Sequence, residues 1–156
     1  MPRFITNLWF DTNAHEAAGY YCSVFPNSEI TRVAHYTEAG PVEAGTVMTV
    51  DFSLDGKPFT AINGGPQFTF SEAVSLLIDC ADQAEVDHYW NTLTEHGEPG
   101  PCGWLKDRYG LSWQVFPDEL AGLLSDPDPG RAERAFNAML TMGKIDITAV
   151  RTAVDG

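Results

Sequence analysis

The sequence predicts a single α+β domain that contains two β-α-β-β-β units in tandem and ends in a helical tail. Alternating apolar residues typical of strands, together with one amphipathic helix, occur in the same order twice along the chain. Two further helical patterns follow a proline-rich segment near the C-terminus. We therefore divide residues 1–156 into a first unit of about 3–65, a second unit of about 72–117 and a tail of about 118–156.

The two units are weakly similar when the second is shifted back by 69 residues. At this offset Phe10 falls on Asp79 and Tyr21 falls on Trp90. Internal duplication usually brings equivalent surfaces together. We therefore expect the two curved sheets to face each other and to leave a cleft between them.

The first unit begins with an aromatic, alternating strand over residues 3–10. The polar residues 11–13 are suited to cap a helix whose apolar positions recur at helical spacing as far as Phe25. Asp55-Gly56 is a strong signal for a hairpin turn between two strands. The three remaining strands of the unit are predicted over 29–37, 45–54 and 57–63.

The second unit repeats this order and the tail departs from it. Its elements are a strand over 73–80, a helix over 82–96, a turn over 97–101 and strands over 102–107 and 111–116. Residues 126–130 are rich in helix breakers and are predicted to be a loop. Two helices are predicted beyond it, one over 131–145 and a second that begins at Asp146, its predicted cap. They are expected to form a lid on the sheet or on a second subunit.

Composition excludes several classes of function. Nine basic against 22 acidic residues give a net charge of −13, which repels nucleic acid and anionic lipid. No apolar run approaches the ~20 residues of a membrane span, and the first ten residues lack the layout of a signal peptide. We expect a cytoplasmic protein that binds neither nucleic acid nor membranes.

The common catalytic motifs are also missing from the sequence. The chain contains no G-x-G-x-x-G, no G-x-x-x-x-G-K-[ST], no H-E-x-x-H and no G-x-S-x-G. Its three cysteines are Cys22, Cys80 and Cys102, and no two of them form a C-x-x-C pair. A disulfide framework or a structural zinc site is therefore not expected.

Four segments resemble one known family: FTAINGGPQFTF, EAVSLLIDC, DHYWNTL and, most specifically, CGWLKDRYGLSWQVFP over 102–117. Over about residues 3–117 the chain resembles the PhnB-like branch of the vicinal oxygen chelate superfamily, whose members often carry the label demethylubiquinone methyltransferase. The superfamily includes glyoxalase I, extradiol dioxygenases, and bleomycin- and fosfomycin-resistance proteins. The resemblance implies paired β-α-β-β-β modules, the glyoxalase/bleomycin resistance/dioxygenase fold, and usually a homodimer.

The resemblance also implies a divalent metal held by His, Glu or Gln side chains from the first and last strands of each unit. Near those positions the first unit offers Ile5, Thr6 or Asn7 on its first strand and Thr60, Ala61 or Asn63 on its last. The second unit offers Ala73, Val74 or Ser75, with Glu72 just outside, and then Gln114. Only Gln114 matches, whereas zinc, nickel and iron favour imidazole or carboxylate ligands. We therefore expect no conventional metal centre and no other cofactor, although a divalent metal stays possible.

Five residues are candidates to line the cleft and bind a ligand. They are Trp9, Asn63, Cys102, Trp104 and Gln114. Strand parity predicts that Trp113 and Val115 face the helix, so that Gln114 faces the cleft, and it groups Cys102 with Trp104. A backbone partner for Gln114, a core position for Trp104 and a turn role for Asn63 are the alternatives.

The function that these observations favour is binding of a small molecule by a homodimer of the superfamily fold without a conventional metal. Two features favour this function: the usual ligand residues are missing at all but one of the implied metal positions, and aromatic residues are present among the candidate cleft residues. The alternative is a lyase, isomerase or dioxygenase with a metal site altered to use Gln114, Asn63 and Glu72. A methyltransferase, as the family label suggests, is the least favoured because the sequence has no recognisable glycine-rich loop for adenosylmethionine.

Overall fold

A computed structural model describes all 156 residues and divides them into two compact units, Met1–Thr69 and Phe70–Gly156. Each unit contains one complete β-α-β-β-β module, which confirms the predicted repeat. The tail belongs to the second unit. None of the helices combines the length and the apolar character that crossing a membrane requires.

The first unit is a four-stranded mixed sheet with one helix on it. The strand order is β1-β4-β3-β2, with β1 parallel to β4 and the other neighbours antiparallel. The bounds are β1 Thr6–Phe10, α1 Ala14–Val24, β2 Glu29–His35, β3 Val47–Leu54 and β4 Lys57–Asn63. Because side chains alternate along strands, one face buries Leu8, Phe10, Val50, Phe52 and Ala61 with Tyr21 of α1.

The second unit has the same arrangement with shorter strands. Its order is β5-β8-β7-β6, and β5 is parallel to β8. The bounds are β5 Ser75–Cys80, α2 Gln83–Thr94, β6 Glu98–Pro99, β7 Trp104–Lys106 and β8 Ser112–Pro117. The segment predicted as a turn over 97–101 therefore contains a two-residue strand, which pairs with β7.

The offset of 69 residues holds for the helices but not for the first strands. Phe10 is buried and its carbonyl accepts a hydrogen bond from Gly64 N at 2.9 Å; Cys80 is buried and accepts from Asp118 N at 2.7 Å. Phe10 therefore corresponds to Cys80 and not to the exposed Asp79. The connection between strand and helix is one residue shorter in the second unit, which a single offset could not accommodate.

The tail contains three helices: α3 Glu119–Leu124, α4 Pro129–Leu140 and α5 Ile147–Asp155. The predicted cap is confirmed, since Asp146 accepts from Ala149 N. The short helix α3 was not predicted. The loop predicted over 126–130 ends early, because Asp128 caps α4 by accepting from Gly130 N and proline suits a first helical turn.

The tail helices form an apolar cluster of their own. Its buried members are Leu120, Ala135, Met139, Ile145, Ile147, Val150 and Val154. The amide of Gln83 on α2 joins the cluster to the module, since Nε2 donates to Ile145 O and Oε1 accepts from Ile147 N, both at 2.9 Å. The tail is thus fastened to the start of α2.

The turn between β7 and β8 is organised by a buried carboxylate. Asp107 is 3% exposed, and its Oδ1 accepts from the amides of Tyr109 and Leu111 at 2.8 and 3.2 Å. Its Oδ2 accepts from the indole Nε1 of Trp113 at 2.8 Å. One charge of this turn therefore lies inside the unit, where it fixes the entry into β8.

Candidate functional site

The candidate site lies on the face of the second sheet that points away from α2, which we call the distal face. Trp113 and Val115 are buried on the α2 side, so the residues between them point the other way. Register places Gln114 between Leu77 on β5 and Trp104 on β7. The distal face comprises Ser75, Leu77, Trp104, Lys106, Ser112 and Gln114.

Gln114 is the centre of the distal face. Its Nε2 donates to Ser75 Oγ at 2.9 Å, and the side chain is half-buried. A primary amide has two N–H donors and a carbonyl acceptor. After the bond to Ser75, Gln114 therefore retains one donor and one acceptor for a bound molecule, with the half-buried Trp104 ring as its cross-strand neighbour.

A row of polar side chains runs beside Gln114. Ser75, Ser112 and Lys106 are partners on three neighbouring strands. Lys106 Nζ lies 2.6 Å from Glu72 Oε1, and this hydrogen bond lowers the pKa of Glu72 and raises that of Lys106. Ser112 is fully buried, and its Oγ has no hydrogen-bond partner.

Cys102 is separated from this arrangement by its backbone. The strand predicted from residue 102 begins only at Trp104, because Cys102 and Gly103 have φ of 57° and 81°, outside strand geometry. Cys102 N donates to Met142 O at 2.8 Å, and its side chain packs against the tail cluster. The predicted grouping of Cys102 with Trp104 on one strand face is therefore wrong.

Trp9 forms an aromatic surface within the first unit. Its side chain is half-buried, on the face of the sheet opposite α1, and its Nε1 donates to Gly65 O at 2.9 Å. The Phe68 ring packs edge-on against the Trp9 ring, with the two ring centroids 5.0 Å apart. A Cβ added at Gly64 would lie 2.3 Å from the Trp9 ring, so glycine is needed there to hold the indole against the chain.

Asn63 lies on the other face of the first sheet and is 7% exposed. Its Oδ1 accepts from Ala14 N at 2.8 Å, and its Nδ2 donates to Val47 O at 3.1 Å. The Asn63 amide thus provides hydrogen-bond partners for the backbone N–H of the first residue of α1 and for the carbonyl of the first residue of β3. This capping role was not anticipated, because the partners are far apart in the chain and no local motif joins Asn63 to α1.

Of the three candidate residues in the second unit, Trp104 and Gln114 are cross-strand neighbours on one face of its sheet. Trp9 and Asn63 belong to the first unit, on opposite faces of its sheet. Cys102 lies in the second unit, in the turn that precedes Trp104. Ser75, Leu77, Lys106 and Ser112 complete the distal face. The alternation that places Gln114 on this face also places Ser112 there.

At the positions where the resemblance implies metal ligands, the side chains do not fit a conventional metal. In the first unit Asn7 and Thr60 are register partners, and Thr60 Oγ1 donates to Asp51 Oδ1 at 2.8 Å. In the second unit the donors are the hydroxyl of Ser75 and the amide of Gln114. No group of three His, Cys, Asp or Glu side chains is placed to hold a metal ion, and hydroxyls and amides do not replace imidazole for zinc, nickel or iron.

A depression elsewhere in this unit is less suited to a ligand than the distal face. It has a volume of about 260 Å³ and lies where α2, α3 and α5 begin, and ligand pockets usually exceed ~300 Å³. Among its polar residues, Asp82 caps α2, Gln83 binds the tail, and Arg151 pairs with Glu119. These groups are engaged within the protein.

Two of the three free thiols, Cys22 and Cys80, are made poor nucleophiles by their surroundings. Burial, reinforced by the nearby carboxylate of Glu85, raises the pKa of Cys80 to about 12. Burial also raises the pKa of Cys22. Because the thiolate is the reactive form, neither side chain is suited to covalent catalysis at neutral pH.

The family match covers the two β-α-β-β-β modules and ends before the helical tail. A family model described as 3-demethylubiquinone-9 3-methyltransferase matches residues 2–116. A PhnB protein from Bacillus cereus, described with the same methyltransferase name, is 34% identical with a TM-score of 0.66, and the match covers 74% of this chain and 99% of that chain. No curated protein matches significantly.

Two more distant structures share the fold. A protein from Pseudomonas aeruginosa is 18% identical with a TM-score of 0.62, covering 76% of this chain and 98% of its own. The genomically encoded fosfomycin resistance protein FosX from Listeria monocytogenes is 14% identical with a TM-score of 0.50, covering 74% and 90%. At these identities the similarity establishes a common architecture and nothing about the ligand.

Proposed function

This chain belongs to the family named 3-demethylubiquinone-9 3-methyltransferase, within the vicinal oxygen chelate superfamily, and we propose that it binds a small molecule without a conventional metal centre. The observation that carries the proposal is the distal face, where the Gln114 amide retains hydrogen-bonding capacity beside the Trp104 ring. The molecule that suits this pair is small and largely apolar, with one or two oxygen atoms.

The two side chains have different roles in binding. Stacking on Trp104 would contribute about 1 kcal/mol beyond simple burial. A neutral hydrogen bond from Gln114 contributes about 0.5–1.5 kcal/mol net, so the amide orients the molecule more than it holds it. In this proposal Asn63 supports α1, Cys102 supports the tail, and Trp9 with Phe68 is a further aromatic surface.

Acetophenone and ethylbenzene are suitable probes, because they have similar size and only acetophenone has an oxygen. We expect acetophenone to shift the NMR signals of the Gln114 amide and the Trp104 indole. Gln114→Ala should weaken acetophenone binding by up to about tenfold, leaving the fold intact because Ala removes only the amide. Ethylbenzene binding should change little. An acetophenone titration that leaves both signals unmoved would refute the site.

The enzyme alternative depends on an altered metal site. Its proposed members are Gln114, Asn63 and Glu72, of which Asn63 bonds two backbone groups and Glu72 pairs with Lys106. Elemental analysis of the dialysed protein separates the two functions. Stoichiometric metal that is lost on Gln114→Ala would favour a lyase, isomerase or dioxygenase over a binding protein.

The methyltransferase name leads to a separate prediction. We expect adenosylmethionine not to bind, because the sequence has no glycine-rich loop recognisable as a site for this cofactor. Isothermal titration calorimetry should show no binding at micromolar concentrations. A dissociation constant of ~100 μM or below, equivalent to about −5.5 kcal/mol, would reinstate the methyltransferase function.

A further inference from the structure

We propose that Lys106, Ser112 and Ser75 form a carboxylate-binding subsite, so that the molecule bound on the distal face is an amphipathic carboxylic acid. This inference rests on the proposed function, since the subsite adjoins Gln114 and Trp104 and specifies the polar end of the same molecule. Three features of the second unit carry it: the alignment of the donors, the unsatisfied hydroxyl and the carboxylate of Glu72.

The donors are aligned across three neighbouring strands. Ser112 on β8 has Ser75 on β5 as its partner on one side and Lys106 on β7 on the other. Neighbouring strands lie about 4.7–4.9 Å apart, so the side chains of Ser75 and Ser112 start about that far from each other. A carboxylate offers two oxygens and about four acceptor positions. It can therefore accept from both hydroxyls, while the long side chain of Lys106 brings its ammonium to the same group.

The hydroxyl at the centre of this row lacks a partner in the unliganded protein. Ser112 has no exposed surface, and its Oγ makes no hydrogen bond. Buried hydroxyls are nearly always satisfied, because removing one from water without a replacement partner is unfavourable. An acceptor oxygen supplied by a bound molecule would satisfy Ser112 once a neighbouring side chain moves to uncover its Oγ, and the exposed Glu72–Lys106 pair is the part of the site that can move. Ser75, which accepts from Gln114, keeps its own O–H free to donate.

Glu72 indicates that the acceptor which suits this site is a carboxylate. Its carboxylate binds Lys106 even though Glu98 faces the same lysine from β6. Lys106 therefore holds one carboxylate in the presence of another. The Glu72 side chain is 59% exposed and precedes β5, so it can turn into solvent when a carboxylate from a bound molecule takes its place.

The rest of the molecule is defined by the adjacent row. Leu77, Gln114 and Trp104 lie two residues along their strands from the donor row, a distance of about 7 Å. Leu77 is 54% exposed and provides apolar surface on one side of Gln114, while Trp104 lies on the other side. A carboxylate joined directly to an apolar ring would place the charge on Lys106 and the ring over this second row.

Benzoate and its neutral isostere benzamide test the inference by NMR titration of the full chain. We expect benzoate to shift the backbone amides of Ser112 and Lys106 and to bind more tightly than benzamide. Lys106→Met should weaken benzoate by about tenfold, the loss typical of one charge-assisted hydrogen bond. Glu72→Gln, which removes the competing carboxylate, should tighten benzoate by about threefold or more, and neither variant should change benzamide binding.

Ser112→Ala gives a second readout that does not depend on the charged pair. Removing an unsatisfied buried hydroxyl should raise the thermal midpoint of the unliganded protein, and the same change should weaken benzoate severalfold. A lower midpoint, or benzoate affinity that is unchanged in both Ser112→Ala and Glu72→Gln, would overturn the inference. If acetophenone binds at Gln114 while benzoate does not bind, the carboxylate subsite fails and the proposed function stands; if neither binds, both fail.

Discussion

Asp107→Ala should lower the free energy of unfolding by about 3 kcal/mol, because it removes the acceptor for three buried or half-buried donors. The indole of Trp113 and the amides of Tyr109 and Leu111 would each lose the hydrogen bond to this carboxylate. For a chain of this size the thermal midpoint should fall by about 6–12 °C. Circular dichroism melting or urea unfolding measures the change.

Two further variants make the result specific. Asp79→Ala removes an exposed aspartate from β5 and should change stability by no more than about 0.5 kcal/mol. Asp107→Asn keeps a carbonyl oxygen for the two backbone amides but presents its NH2 group, a donor, to the Trp113 indole N–H. The stability of this variant should therefore fall between those of Asp107→Ala and the native protein. Equal losses in Asp79→Ala and Asp107→Ala would mean that the buried carboxylate does not organise this hairpin.

Gly97→Ala should destabilise the second unit by about 3 kcal/mol, the upper end of the usual cost of overpacking. A Cβ at this position would lie 2.3 Å from Lys106 O and 2.8 Å from Leu93 O. Both are backbone atoms, so no side chain can rotate to relieve the contact. Either the end of α2 or the start of the β7–β8 hairpin has to move, and the carbonyl displaced belongs to Lys106 in the proposed subsite.

The matched control is Gly19→Ala in the interior of α1, where a Cβ would meet no atom within 4 Å. Alanine forms helices better than glycine by about 1 kcal/mol, so this variant should be as stable as the native protein or more stable. Urea unfolding followed by tryptophan fluorescence compares the two. If Gly97→Ala is no less stable than Gly19→Ala, the close approach of α2 to β7 is not a constraint.

Strand parity and helix capping explain why much of the fold could be predicted from the sequence. The alternation that buries Trp113 and Val115 also places Ser112 and Gln114 on the opposite face, because side chains alternate strictly along a strand. Asp146 caps α5 through a local hydrogen bond, and such bonds leave a clear sequence signal.

The features that escaped prediction depend on contacts between distant residues. Asn63 supports α1 across 49 positions of the chain, and no periodicity records such a bond. Cys102 leaves the strand conformation at a φ of 57°, where its amide bonds Met142 in the tail. Likewise Glu72 and Lys106 meet only when β7 takes its place in the sheet, so the charged end of the candidate site was not visible in either segment alone.

The separate apolar cluster of the tail has a consequence for how the molecule opens. Because its buried residues come from the tail itself, the helices α3 to α5 can come apart together while the sheet of the second unit keeps its own core. Such a segment behaves as a foldon, whose amide protons exchange with solvent through a sub-global opening of lower free energy than complete unfolding. The two hydrogen bonds of Gln83 and the bond from Cys102 N to Met142 O set part of that opening energy, because each joins the tail to the module.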